Sequence, residues 1–194
     1  MNTNMDNQIK KYLKNLNKSC IPKINLDEFK KYDLKIHNKY LYLDFGIEHY
    51  QLLANISTNV NNKIFYDIGT NYGSSALALS VNKKNKVESY DVVKLLPCEI
   101  SEENINFNIG NCINDLNLLS ADLIFLDTMH DGSFEKALLD HLVNNSYKGV
   151  VIMDDVNEYP ILRLIANDIA KANNYEIIEL TSIGHYSGTL AIIF

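Results

Sequence analysis

The chain has 194 residues, 46% of them hydrophobic and 22% charged, with a formal net charge of -6. A chain of this length buries a core without disulfide or metal staples, and its composition excludes a disordered or collagen-like polymer. The acidic balance disfavours a broad nucleic-acid surface, which needs a Lys/Arg face, and no apolar run approaches the ~20 residues of a membrane-spanning helix.

The first eighteen residues are rich in Asn and Lys and lack the apolar centre of a signal peptide. The expectation is a soluble, cytoplasmic protein with neither nucleic acid nor membrane as partner. The early lysines, such as Lys10, Lys11 and Lys14, read as a solvated helix face. Ile9, Tyr12, Leu13 and Leu16 recur at helical spacing until Pro22 interrupts them. Phe29, Tyr32 and Leu34 suggest a second short element, and the apolar residues of 47–56 a third helix. The run Asn59-Val60-Asn61-Asn62 reads as a turn. It divides a helical lead or cap, residues 1–58, from a core of residues 59–194.

After that turn, strands and helices alternate. KIFYDI (63–68), VESYDV (87–92), 105–109, ADLIFLD (121–127) and GVVIMD (149–154) read as strands. SSALALSV (74–81), 134–143 and 159–172 read as helices. Residues 175–183 and 189–194 close the chain as an antiparallel pair across Gly184 to Gly188. Alternation predicts right-handed βαβ units, and continuous apolar runs suit parallel strands buried on both faces. Such sheets bind ligands at the carboxyl ends of their strands. Acids stand at four of those ends: Asp67, Asp91, Asp127, and Asp154 with Asp155. The three cysteines, Cys20, Cys98 and Cys112, are widely spaced and lack a CxxC pair, which argues against a disulfide framework or a thiolate zinc site.

The segment Asp67-Ile68-Gly69-Thr70-Asn71-Tyr72-Gly73-Ser74-Ser75 joins a strand to a helix. Gly69 permits a sharp turn, Gly73 lets the loop approach a ligand, and the helix start offers free N–H groups. Asp91, 24 residues after Asp67, is placed to accept ribose hydroxyls. The dinucleotide pattern G-x-G-x-x-G is not met, which disfavours a nicotinamide cofactor. G-x-S-x-G, a phosphate loop and HExxH are also missing. The plain alternative is a tight strand–helix turn that needs two glycines.

YDIGTNYGSSALALS resembles the S-adenosylmethionine-binding motif of class I methyltransferases. It is most similar to the branch of metal-dependent small-molecule and sugar O-methyltransferases (macrocin O-methyltransferase-like, methyltransferase family 24). The resemblance runs from about Lys63 to Phe194. It implies a Rossmann-like α/β fold: seven strands, mostly parallel, with an antiparallel last strand and helices on both faces. It further implies that Asp67, Gly69, Thr70, Asn71, Tyr72, Gly73, Ser74 and Ser75 hold the methionine end of S-adenosyl-L-methionine. Asp91 would hold the ribose, while Asn111 and Cys112 would border the adenine. Asn111 stands where many members carry an acid.

Asp127-Thr128-Met129-His130 resembles the D-x-x-H loop of the branch, and Asp154-Asp155 its paired acids. By that resemblance Asp127, Asp154 and Asp155 bind a divalent cation and Asp127 also borders the cofactor. Three carboxylates converging at a sheet edge repel one another unless protonated or bound to a cation, and oxygen ligands suit Mg²⁺. Such an ion would lower the pKa of an acceptor hydroxyl and orient it. The expected catalytic residues are Asp127 and His130.

Bland readings stand beside these. Asp154 and Asp155 would serve as caps of the next helix. His130 would be a surface loop residue, and Tyr72 would pack against the N-terminal helices. His185 reads as part of the hairpin connection rather than the site, and His141 as structural. The expected reaction is O-methyl transfer to a small polar hydroxyl acceptor, with a sugar or glycoside as first guess, and branch members often form homo-oligomers. The alternatives are a metal-independent methyltransferase with His130 as base, a nucleotide- or NAD-binding Rossmann protein, and a non-catalytic binding module.

Overall fold

The computed structural model describes residues 8–17, 21–32, 41, 48–96 and 99–194. Leu34, Ile47, Cys20 and Cys98 lie outside them.

The lead contains α1 (Gln8–Asn15), a 3-10 turn (Asp27–Lys31) and α2 (Glu48–Asn59). The core then runs β1 (Ile64–Ile68), α3 (Ser74–Leu79), β2 (Lys86–Asp91), β3 (Ile105–Ile109), β4 (Leu123–Leu126), α4 (Ser133–Asn144), β5 (Val150–Met153), α5 (Pro160–Asn173), β6 (Glu176–Glu179) and β7 (Leu190–Ile193). These follow the expected order, each within a few residues of its predicted ends. The helix expected over 74–81 ends at Leu79, with Ser80 as its C-cap.

One seven-stranded sheet has the order β3-β2-β1-β4-β5-β7-β6. β1 to β5 pair in parallel, and β7 is antiparallel to both β5 and β6. The order reverses between β2-β1 and β4, and this is where parallel sheets open a crevice at their carboxyl ends. β4 (LIFL), β5 (VVIM) and β7 (LAII) are buried at every position because helices or neighbouring segments cover both faces.

Two apolar layers flank the sheet. One includes Phe65, Leu77, Leu123 and Ile152, and Ile9, Leu13, Phe29, Leu52 and Leu53 of the lead belong to it. The other includes Tyr66, Ile124, Leu138, Leu142, Val151 and Leu162. The lead therefore shares a continuous core with the sheet. Gln51 of α2 holds the extended segment before the 3-10 turn, accepting from the Ile24 N–H at 2.7 Å and donating to its carbonyl at 3.0 Å. Tyr32 reaches Glu102 at 2.8 Å, and Lys14 pairs with Glu176 at 2.6 Å. Among the described residues no helix is long and apolar enough to cross a membrane.

Candidate active site

The glycine loop lies at the carboxyl end of β1. Gly69 has φ +99°, and a Cβ there would lie 1.6 Å from the Asp127 carbonyl oxygen. This position admits only glycine, because the loop passes against the backbone that ends β4. The Gly69 and Thr70 N–H groups donate to the Tyr90 carbonyl, and Gly73 N–H closes the turn on the Thr70 carbonyl. Asp67 is completely buried. Its Oδ2 accepts from Ser89 Oγ at 2.6 Å, and Ser89 also bonds Thr70 Oγ1 at 2.6 Å. Oδ1 meets no hydrogen-bond partner among the described residues. Burial pushes the Asp67 carboxyl up to about 6, although Ser89 and the approaching Ser75 hydroxyl oppose the shift. Ser74 and Ser75 are buried at the start of α3, Tyr72 is half-buried, and Asn71 is exposed with φ +46°.

Asp91 ends β2 and braces this loop. Its carboxylate accepts the Asn71 N–H at 2.9 Å and the Val93 N–H at 3.2 Å. A cleft of about 460 Å³ opens beside it, lined by Thr70, Asp91, Leu96, Ile100, Phe107 and Asn108 among others. Exposed Val93, Leu95 and Ile109 also line it. The expected adenine neighbours are placed less directly. Asn111 Oδ1 accepts the Ile113 N–H at 3.0 Å and caps a short 3-10 turn. Cys112 is 1% exposed and belongs to the apolar layer with Tyr66, and burial pushes its thiol up to about 12. Its side chain packs in the core beneath the turn, not along the cleft.

The later acids interleave with imidazoles. Asp127 Oδ1 lies 3.0 Å from His130 Nε2, and Asp155 Oδ2 lies 3.4 Å from the same nitrogen. Asp155 Oδ1 is 3.4 Å from His185 Nδ1. Asp154 Oδ2 is 3.6 Å from His185 Nδ1 and 3.5 Å from His49 Nδ1. Among the described residues the metal-capable groups are therefore Asp127, His130 and Asp155 on one side, and His49, Asp154 and His185 on the other. The expected all-carboxylate trio is divided between these two sets.

Local structure explains the geometry. His130 has φ +62°, and its loop is tied to buried Glu135 at the start of α4. Glu135 accepts from Thr128 Oγ1 at 2.6 Å, His130 N–H at 3.0 Å and Gly132 N–H at 3.1 Å. The His130 ring stacks on Tyr159 at 4.8 Å. Burial alone would lower the His130 pKa, but the Asp127 hydrogen bond and the charges of Asp127, Asp155 and Glu135 raise it overall. Asp154 is 2% exposed, and burial together with the Asp155 charge pushes it up to about 6. Burial would raise Asp155 as well, but hydrogen bonds from His185 and Ser187 bring it below its ordinary value.

Two bland expectations fail. α5 begins at Pro160 with Tyr159 at its cap position and no side-chain cap bond, so Asp154 and Asp155 do not cap it. His185 is not merely a hairpin residue. The Val156 and Asn157 N–H groups donate to the Gly188 and Ser187 carbonyls, and this folds the β6–β7 connection over the two acids. Three site residues were not predicted. Glu135 resembles any acid in a first helical turn. His49 and Tyr50 sit in an ordinary helical sequence, EHYQLLANISTN, with rings 3.9 Å apart. Burial, then the charges of Asp127, Asp154 and Asp67, raise the Tyr50 phenol, which places α2 beside the acids.

No family model matches the chain, and no curated protein matches it. Solved structures do match. A Staphylococcus aureus protein with a provisional caffeoyl-CoA O-methyltransferase label is 15% identical, with a TM-score of 0.58 over 87% of this chain and 97% of that one. A Bacillus cereus O-methyltransferase in complex with S-adenosylhomocysteine is 18% identical, with a TM-score of 0.54 over 95% of this chain and 96% of that one. The S-adenosylhomocysteine-bound methyltransferase PaMTH1 of Podospora anserina is 16% identical, with a TM-score of 0.52 over 100% of this chain and 97% of that one. At such identities the likeness establishes the fold alone, a Rossmann-like, mostly parallel seven-stranded sheet shared with these structures.

Proposed function

We propose that the chain is an S-adenosyl-L-methionine-dependent O-methyltransferase acting on a hydroxyl of a small polar acceptor. The observation that carries the reading is the switch point of the sheet, where the adjacent ends of β2, β1, β4 and β5 bring Asp91, the Asp67–Ser75 loop, the Asp127–His130 pair and Asp155 to one edge. Two of the structural neighbours are described with bound S-adenosylhomocysteine, the product such a reaction leaves.

The residues fit that cofactor. Buried Asp67 Oδ1 has acceptor capacity to spare, and the cleft beside Asp91 has apolar walls suited to a nucleoside. In this reading Asp67 and Gly69 to Ser75 take the methionine end and Asp91 the ribose. Asn111 borders the base, and Asp127 faces the sulfonium. Asp127 and Asp155 would hold a divalent cation, Mg²⁺ on the all-oxygen reading, whereas Asp154, the third acid of the expected trio, faces His49 and His185 instead. Such a cation would acidify the acceptor hydroxyl.

His130 is the general base. Its Nε2–H faces Asp127 and Asp155, which stabilise the imidazolium formed when Nδ1 takes the hydroxyl proton. The remaining requirement is in-line placement of oxygen and methyl, which two bound reactants supply. Exposed Met129, Tyr159 and Tyr186 rim the site and give a sugar or glycoside ring apolar faces to pack on. The His130–Asp127 bond also favours a second reading, metal-independent transfer, which activity after exhaustive chelation would support.

The test is conversion of S-adenosylmethionine to S-adenosylhomocysteine with a panel of sugar and glycoside acceptors. Asp127→Asn and Asp155→Asn are expected to abolish turnover and largely spare cofactor affinity. Full activity in both variants would overturn the roles assigned to these acids.

A further inference from the structure

His49 comes from α2, Asp154 follows β5 and His185 belongs to the β6–β7 connection. Separated by more than a hundred residues at the extremes, they meet in one place. Their ligand atoms lie within 4.8 Å of one another. Both Nδ1 atoms face the same oxygen, Asp154 Oδ2, at 3.5 and 3.6 Å. The imidazole rings stand nearly perpendicular, with centroids 5.2 Å apart. We propose that His49, Asp154 and His185 form a binding site for a first-row transition cation such as Zn²⁺ or Co²⁺, a two-imidazole, one-carboxylate set distinct from an all-oxygen Mg²⁺ site.

Three features support it. The separations exceed the ~2.7–3.2 Å of ordinary hydrogen bonds. The two nitrogen–oxygen separations lie near ligand spacing instead: donors ~2.0–2.1 Å from a tetrahedral ion lie about 3.3–3.4 Å apart. The second Asp154 oxygen, Oδ1, accepts from Thr189 Oγ1 at 2.9 Å. An outer hydrogen bond of this kind orients a ligating carboxylate. The donor chemistry also selects the ion. Imidazole suits Zn²⁺ and its neighbours, whereas Mg²⁺ keeps oxygen ligands and sheds water reluctantly.

Asp155 Oδ1, 3.4 Å from His185 Nδ1, stands next to the set as a fourth donor. The Ser187 hydroxyl bonds His185 Nδ1 and also faces the Asp155 carboxylate, so it can turn to the latter when the nitrogen takes an ion. The cation would clamp α2 of the lead onto the sheet. The inference does not depend on the methyltransferase reading, since a metal can be held whichever reaction the crevice performs.

The test is titration of the full chain with Co²⁺, read by its visible ligand-field absorption. Saturable binding is expected, with His49→Gln and His185→Gln each weakening it at least about tenfold. His141→Gln, in the last turn of α4, should leave it unchanged. A large excess of Mg²⁺ should not displace the Co²⁺ signal. Zn²⁺ X-ray absorption on the unaltered chain should show outer-shell scattering from two imidazoles, a readout that needs no variant to fold. A first shell without imidazole, or Co²⁺ affinity unchanged in both histidine variants, would overturn the site. S-adenosylhomocysteine binding, measured on the same sample, separates failure here from failure of the proposed reaction.

Discussion

Nε2 of His130 sits 3.0 Å from Oδ1 of Asp127, three residues earlier, because His130 adopts a positive φ and turns its ring back over the end of β4. The pair is therefore a product of loop shape as much as of residue type. His130→Asn should lower kcat by ~10²–10⁴-fold, the usual contribution of a positioned base. The affinity for S-adenosylhomocysteine should stay within about twofold, since the ring is not assigned to the cofactor. Steady-state turnover and cofactor titration on the same variant check this.

Glu135 holds that loop shape without touching any assigned ligand. Its two oxygens accept three donors, two of them backbone N–H groups. Glu135→Gln places an amide against one of these donors and should destabilise the fold by about 1–3 kcal/mol. Urea denaturation measures that, and kcat should fall as His130 loses its anchor. An unchanged denaturation midpoint would mean that the loop is held by other means.

Gly69 and Gly110 make a controlled comparison. Both have positive φ, +99° and +141°, but only at Gly69 would a Cβ strike backbone, 1.6 Å from the Asp127 carbonyl oxygen. Gly69→Ala should cost roughly 4 kcal/mol or more, because β1 and β4 would have to part. Gly110 has nothing within 4 Å. Gly110→Ala should cost only the conformational strain, about 1–3 kcal/mol. Thermal melts of the two variants give the order.

Glu102 links the lead to the core through Tyr32 and Lys31, and within the core it pairs with Lys83. Burial would raise its carboxyl, but hydrogen bonds from the two lysines and the tyrosine bring it from 4.5 to about 2. A depressed folded pKa contributes stability that is present above the unfolded value and lost as pH falls through the folded one. Wild type should therefore exceed Glu102→Gln in stability at neutral pH, by about 1 kcal/mol or less given the exposed lysines. The gap should close between pH 4.5 and 2. A gap independent of pH would assign the effect to packing.

Much of this fold is legible in the sequence because buried parallel strands announce themselves. KIFYDI, DLIFLD and GVVIMD are continuous apolar runs, and each is followed or ended by an acid that marks the ligand-binding edge. The glycine loop is legible for a steric reason, since no other residue fits where Gly69 passes Asp127. His49 and His185 were hidden for the opposite reason. Nothing local distinguishes a histidine inside a helical pattern or in a short connection. Their meaning comes from tertiary packing, which lays α2 and the β6–β7 connection on the end of β5. The separation of Asp154 from Asp127 follows from the same packing, since the adjacent carboxylates of Asp154 and Asp155 point to different neighbours.

The crevice at the strand ends is proposed to bind S-adenosylmethionine. Calorimetric titration of the unaltered chain with S-adenosylhomocysteine tests it most directly. Saturable binding of one molecule per chain is expected, weakened by Asp91→Ala, which removes the carboxylate that braces the glycine loop. No binding at millimolar ligand would contradict it.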